Sequence, residues 1–151
     1  MFLSRLAYIS RPAWHDLDPG ARESMLADIL AAGMRNNPAR KITGVLIFDG
    51  RNFVQVLEGR RSVVYETFLR IQADTRHGGV ELVGFSEVSD RLFDDWAVLS
   101  SPPAEAARRG VAIPDPDTVT FDMLVAFARR HRSRLDEVHQ FAPVQAETCL
   151  N

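Results

Sequence analysis

Two apolar runs, Ile42–Phe48 and Asn52–Glu58, flank the dipeptide Asp49-Gly50, and no other feature of this chain restricts its fold as much. Asp-Gly between alternating hydrophobics is a strong local signal for a tight hairpin, so these runs should be antiparallel neighbours in a sheet. Within the second run, Phe53-Val54-Gln55-Val56-Leu57 places one amide among hydrocarbon. A buried amide without a partner costs about 1–3 kcal/mol, so something polar has to meet Gln55.

The remaining elements follow from periodicity and stop signals. Residues 2–10 form a first strand closed by Arg11-Pro12. Asp18-Pro19 supplies an N-cap and a first-turn proline, and Met25, Leu26, Ile29, Leu30, Gly33 and Met34 then recur at helical spacing. Asn36-Asn37-Pro38 is expected to stop this helix, with asparagine in the left-handed cap position. From Ser62, the spacing of Val64, Phe68 and Ile71 predicts a second helix running to Arg76-His77, with Gly78-Gly79 as its stop. Val80–Val88 and Phe93–Ser100 complete the strands.

The order strand, helix, strand, strand, helix, strand, strand is the ferredoxin-like βαββαββ arrangement of the α+β class with one added strand. It implies a mixed five-stranded sheet with two helices on one face. Strands one and three are expected side by side and parallel at its centre. Alternation puts Tyr8 with Leu6, and Gln55 with Phe53 and Leu57, on the helix-covered face. Ala7, Ile9, Val54 and Val56 then make an opposite face too apolar for water, so a further layer must cover it. Phe121, Leu124, Val125, Ala128 and Leu135 recur at helical intervals beside the basic run Arg129-Arg130-His131-Arg132, so either one or two C-terminal helices dock on that face or a partner subunit covers it. The division is residues 1–100 as the folded unit, 101–117 as a Pro- and Ala-rich linker, 118–139 as a helical extension and 140–151 as a loose tail.

Bulk properties narrow the function. At 151 residues and 46% hydrophobic, the chain has material for one domain with one core. Eighteen basic against twenty acidic residues give a net charge of −2 and no basic stripe, which disfavours nucleic acid and anionic membrane surfaces. No long apolar stretch or charged leader is present, and a cytoplasmic location is expected. Cys149, the single cysteine, can form neither an internal disulfide nor a thiolate metal site. The phosphate-cradling, dinucleotide, paired-histidine zinc and serine-elbow signatures are all missing.

The chemistry-bearing candidates are Tyr8, Asn37, Gln55, Arg70, Asp74, Arg76, His77 and Trp96. Each has a plain structural reading. Tyr8 packs in a strand, Asn37 caps a helix, Gln55 takes a surface position on an edge strand, Arg70 and Asp74 pair at i,i+4, Arg76 lies on a solvated face, His77 is a cation at a helix end, and Trp96 fills core.

Together they carry more. Ser4-Arg5-Leu6-Ala7-Tyr8-Ile9-Ser10, Asn37 with Ile42-Thr43-Gly44-Val45-Leu46, Phe53-Val54-Gln55-Val56-Leu57-Glu58-Gly59, Asp74-Thr75-Arg76-His77 and Arg91-Leu92-Phe93-Asp94-Asp95-Trp96 resemble the BLUF family, blue-light sensors that use FAD. The resemblance runs from about Phe2 to Leu99, and is most specific around Gln55. It implies FAD as cofactor, Tyr8 as electron and proton donor, Gln55 as the amide between phenol and flavin, and Asn37 on the flavin's polar edge. Arg70, Asp74, Arg76 and His77 become ring-edge and tail contacts, and Trp96 joins the photoactive set, facing either flavin or solvent. A switch and not an enzyme is implied, signalling through a homo-oligomer or a separate downstream protein. The family usually has methionine two residues after the tryptophan; here that position is Val98, which bears on the route of output. Two rivals remain: a flavin-free ferredoxin-like scaffold or interaction domain, and an acylphosphatase-like hydrolase. The hydrolase would need a glycine-rich anion-binding turn after the first strand, where Arg11-Pro12-Ala13-Trp14 stands.

Overall fold

A computed structural model describes residues 2–101 and 103–141; the tail expected from 140 onward, Cys149 included, lies almost wholly outside them. The elements are β1 (Leu3–Pro12), α1 (Pro19–Ala39), β2 (Thr43–Phe48), β3 (Phe53–Arg60), α2 (Arg61–Ala73), β4 (His77–Val88), β5 (Trp96–Ser100), α3 (Pro103–Arg108) and α4 (Phe121–Phe141). The five strands form one sheet in the order β4-β1-β3-β2-β5.

The hairpin forms as its sequence requires, with Phe48 opposite Phe53 across the Asp49-Gly50 turn. Asp49 earns its position twice over: Oδ1 accepts from the backbone N–H groups of Arg51 and Asn52, and Oδ2 accepts from that of Ile113. One carboxylate therefore closes the turn and ties down the segment after α3.

Strands β1 and β3 are central neighbours, but they run antiparallel, from Leu3 opposite Arg60 to Ser10 opposite Phe53, and not parallel as expected. The connections explain the correction. The α1 crossover returns β2 parallel to β1 with one strand's gap between them, and the hairpin turns β3 back into that gap. Only β5 is bonded in parallel, alongside β2.

Both central strands are buried on both faces. On one face Leu6, Tyr8, Leu46, Phe53 and Leu57 pack with Ile29 of α1 and Val64 and Phe68 of α2. On the other, Ala7, Ile9, Val45, Ile47, Val54 and Val56 pack with Leu124, Val125, Phe127 and Ala128 of α4 and Ala106 of α3. The stretch read as linker thus contains a short helix that joins the rear core. His131, part of the basic run, is only 2% exposed and sits edge-on to the ring of Phe127. Leu135 carries no side-chain description.

Close packing of α4 depends on one missing methyl group. A Cβ on Gly84 of β4 would come within 2.3 Å of the Phe121 ring, beside an irregularity in register between Ala7 and Tyr8. Replacing Gly84 by Ala should displace Phe121 and cost about 1–3 kcal/mol by overpacking. A denaturant midpoint unchanged from the parent would contradict this.

Two helix ends differ from expectation. Asp18 caps α1 through a 2.8 Å bond from Ala21 N–H, but Pro38 lies inside the last turn and the helix runs on to Ala39. Proline so near the C-terminus forfeits one intrahelical bond, and Lys41 at φ 56, not an asparagine, takes the left-handed position. Helix α2 ends at Ala73, short of Arg76-His77. There the Asp74 carboxylate accepts from Arg76 N–H at 2.9 Å, a side-chain turn that starts β4 at His77. Gly78 and Gly79 consequently serve a second register shift in β4 and do not stop a helix.

A candidate cofactor cleft between two helices

Tyr8 and Gln55 are direct cross-strand partners on β1 and β3, both facing the helices. The Tyr8 hydroxyl donates to Oε1 of Gln55. Tyr8 is wholly buried and Gln55 is 4% exposed, so each satisfies the other where water cannot. Burial, and secondarily the negative charge of Asp74, raises the Tyr8 pKa far above that of a free phenol. The group is a neutral hydrogen-bond donor at any physiological pH.

Gln55 forms part of the floor of a cleft between α1 and α2 that encloses about 670 Å³, part of it open to solvent. Asn37, Arg40, Thr67, Arg70, Asp74, Arg76 and His77 line it, with Ile29, Leu46 and Ile71 as its apolar surface. Of the candidate residues named from the sequence, all but Tyr8 and Trp96 reach this lining. Tyr8 lies beside Gln55 on the neighbouring strand.

Trp96 is 6% exposed on the helix-covered face, where its indole N–H is buried without a hydrogen-bond partner among the described residues. It is therefore turned away from solvent, and it is not among the residues that line the cleft. Val98 also lies on that side, partly buried.

The ion pairing read from sequence is also redirected. Asp74 pairs with Arg76, at 2.7 Å from Nη2, and not with Arg70, which is exposed at the cleft mouth. The Arg76 hydrogen bond holds the Asp74 carboxyl below the usual carboxylate range, against the opposing effect of burial. His77 belongs to β4 and not to a helix end; its Nδ1 lies 3.0 Å from Ser10 Oγ and its ring 5.1 Å from that of Phe53. Burial pushes its pKa down, assisted by Arg76 and opposed by Asp74.

Three contributors were not legible as site residues. Arg40 bridges the helices by donating to Thr67 Oγ1 at 3.0 Å and pairing with Glu66. Gly33 counts in the sequence only as part of an apolar stripe, yet a Cβ there would sit 3.4 Å from the Trp96 indole nitrogen and 3.7 Å from the Asn37 amide nitrogen. Glu58, wholly buried three residues beyond Gln55, accepts from Arg5 at 2.7 Å and from the backbone of Leu92 and Phe93. Its place in the Leu-Glu-Gly run was the available signal, but its partners come from distant segments.

The cleft fits a planar heteroaromatic ligand with a hydrogen-bonding edge. The side-chain amide of Asn37, at 4% exposure, and the amide nitrogen of Gln55 line it without protein partners among the described residues. Amides carry both donors and acceptors, as the edge of a flavin ring requires. The absent side chain at Gly33 leaves space between the helices.

The family model for sensors of blue-light using FAD matches residues 3–99, and the chain belongs to this BLUF family. It is a blue-light photoreceptor that binds flavin. Over 100 residues it is 33% identical to photoactivated adenylate cyclase subunit beta of Euglena gracilis, a match covering 66% of this chain but only 11% of that protein. The dark-state structure of BlrB, a BLUF protein, is 28% identical with a TM-score of 0.68, covering 89% of this chain and 97% of that one. A Klebsiella pneumoniae BlrP1 structure with FMN and cyclic diGMP is 29% identical, with a TM-score of 0.56 and coverage of 65% and 26%. No helix among the described residues is long and apolar enough to cross a membrane, and no cluster there could hold a metal ion.

Proposed function

We propose that the chain is an FAD-loaded light switch in which Tyr8 and Gln55 perform the photochemistry. The supporting observation is the buried bond from the Tyr8 hydroxyl to Oε1 of Gln55, a residue that also lines the cleft. Asn37 and Gln55 would hold the polar edge of the ring, with Asp74, Arg76 and His77 at its margin. Arg70 and Arg40 at the mouth suit the phosphates of the tail.

Bound flavin would supply blue-light absorption and, once excited, a strong electron acceptor. A phenol that loses an electron becomes a strong acid and must release its proton. From Tyr8 the hydrogen-bonded destination is Oε1 of Gln55. When proton and electron return, the Gln55 amide is left with its donor and acceptor ends exchanged, and no atom has been gained or lost. One exchanged neutral hydrogen bond is worth about 1 kcal/mol, enough to move a two-state equilibrium roughly fivefold.

So small a driving force needs a nearly balanced output element. We place it in β5 and the helices behind the sheet, since β5 begins at Trp96 and α4 bonds to the preceding loop through Arg132 and Asp95, 2.9 Å apart. The chain is then a cytoplasmic switch, not an enzyme. Residues 1–100 sense, and the signal leaves through contact with a second copy or a separate protein.

Purified protein should be yellow and should show a small, reversible red shift of its visible band after a blue flash. A colourless preparation that FAD cannot reconstitute would overturn the reading. Chromatography of the heat-released cofactor should yield FAD; FMN as the main species, as in the BlrP1 structure, would correct the tail assignment.

A further inference from the structure

Ser10 lies two residues beyond Tyr8 on β1, so its side chain leaves the same face of the sheet. It is wholly buried, and its Oγ is 3.0 Å from Nδ1 of His77. A buried hydroxyl carries one proton that must find an acceptor, or it costs about 1–3 kcal/mol. Among the described residues, Nδ1 of His77 is the single side-chain or backbone atom bonded to that hydroxyl.

The chemistry of the pair then follows. For the Ser10 hydroxyl to donate, Nδ1 has to be the bare nitrogen of a neutral imidazole, and the ring proton falls on Nε2. The opposite tautomer would have Nδ1–H donate to Ser10 Oγ and leave the serine proton with no acceptor. Charging the ring would do the same. The surroundings favour neutrality: His77 is largely buried against Phe53, and the nearby charges of Asp74 and Arg76 act on it in opposite directions. His77 also lines the cleft, and with Nδ1 engaged on β1 the nitrogen left to the cleft is Nε2.

We propose that Ser10 is a positioning residue that fixes His77 as its Nε2–H tautomer, giving that end of the cleft a hydrogen-bond donor matched to an acceptor oxygen of the ligand. This rests on the flavin reading above for the ligand's identity, but the tautomer does not. The wall of the cleft thereby has a division of labour. Asn37 and Gln55 can each donate or accept, whereas His77 only donates, and so selects for a carbonyl or phosphate oxygen at its position.

The test uses the full chain labelled with ¹⁵N-histidine, with the His77 signals assigned by their loss in His77→Gln. At neutral pH, Nε2 should carry the proton and Nδ1 should be bare; Nδ1–H as the main form, or a mixture of the two, would overturn the proposal. Ser10→Ala should shift the Nδ1 resonance and weaken flavin binding about fivefold, the equivalent of one neutral hydrogen bond. Ser10→Thr, which keeps the hydroxyl, should restore both. Affinities for riboflavin, FMN and FAD locate the acceptor: an equal loss for all three indicates a ring carbonyl, and a loss confined to FMN and FAD indicates a phosphate. Unchanged affinity for all three in Ser10→Ala overturns the positioning role. Wild-type protein that binds none of the three would defeat the flavin reading instead, and the nitrogen spectra would still report the tautomer.

Discussion

Tyr8→Phe should retain flavin and lose the light-induced red shift completely. The hydroxyl bonds to Gln55 from the neighbouring strand and Tyr8 does not line the cleft, so its removal leaves the binding surface in place. What disappears is the only phenol bonded to the Gln55 amide, and with it the proton that the amide would have to receive. Flash spectroscopy decides the matter: normal photocycling of this variant would remove Tyr8 from the mechanism.

Gln55→Leu should abolish the shift as well, but at a different structural cost. It leaves the Tyr8 hydroxyl buried without a partner, for a loss of about 1–3 kcal/mol. Tyr8→Phe in that background removes the orphan, so the double variant should be more stable than Gln55→Leu alone. Additive losses in denaturant titrations would show that the two side chains are not energetically coupled.

Glu58→Leu should destabilise the fold by about 3 kcal/mol, because it strips a part-buried cation of its partner and two loop N–H groups of their acceptor. Arg5 would keep its guanidinium near the sheet with the carboxylate gone, and the N–H groups of Leu92 and Phe93 would lose their acceptor. These bonds hold the loop entering β5 against β3, next to Trp96. Arg91 reinforces the same junction by donating to the carbonyls of Glu58 and Lys41. Adding Arg5→Met should recover part of the loss, since the unpaired charge goes with it. A Glu58→Leu unfolding free energy within about 1 kcal/mol of the parent, the scale of an ordinary exposed pair, would mean the network is not buried in solution.

Much of the fold was legible because it rests on local rules. The Asp49-Gly50 turn and the alternation around it defined a hairpin, Asp18-Pro19 defined a helix start, and period-two patterning sorted Tyr8 and Gln55 onto one face and Val54 and Val56 onto the other. The errors came where local propensity met competing bonds. Pro38 was accommodated at the loss of one intrahelical bond, one residue before the helix ends at Ala39, and Asp74 ended α2 early because its carboxylate found the Arg76 backbone. Strand direction between β1 and β3 is a property of two connections taken together, which no single segment carries.

The residues in order were enough to define the sensor's class, its sheet and the pairing of a phenol with an amide, since periodicity, turn chemistry and the family pattern act over short stretches of chain. Folding in three dimensions determined the rest: which cation Asp74 holds, that Trp96 packs inward, that Glu58 anchors a loop more than thirty residues away, and that Ser10 meets His77. Those contacts join segments far apart in sequence, and their energies depend on burial and geometry that exist only once the sheet has closed between its helices.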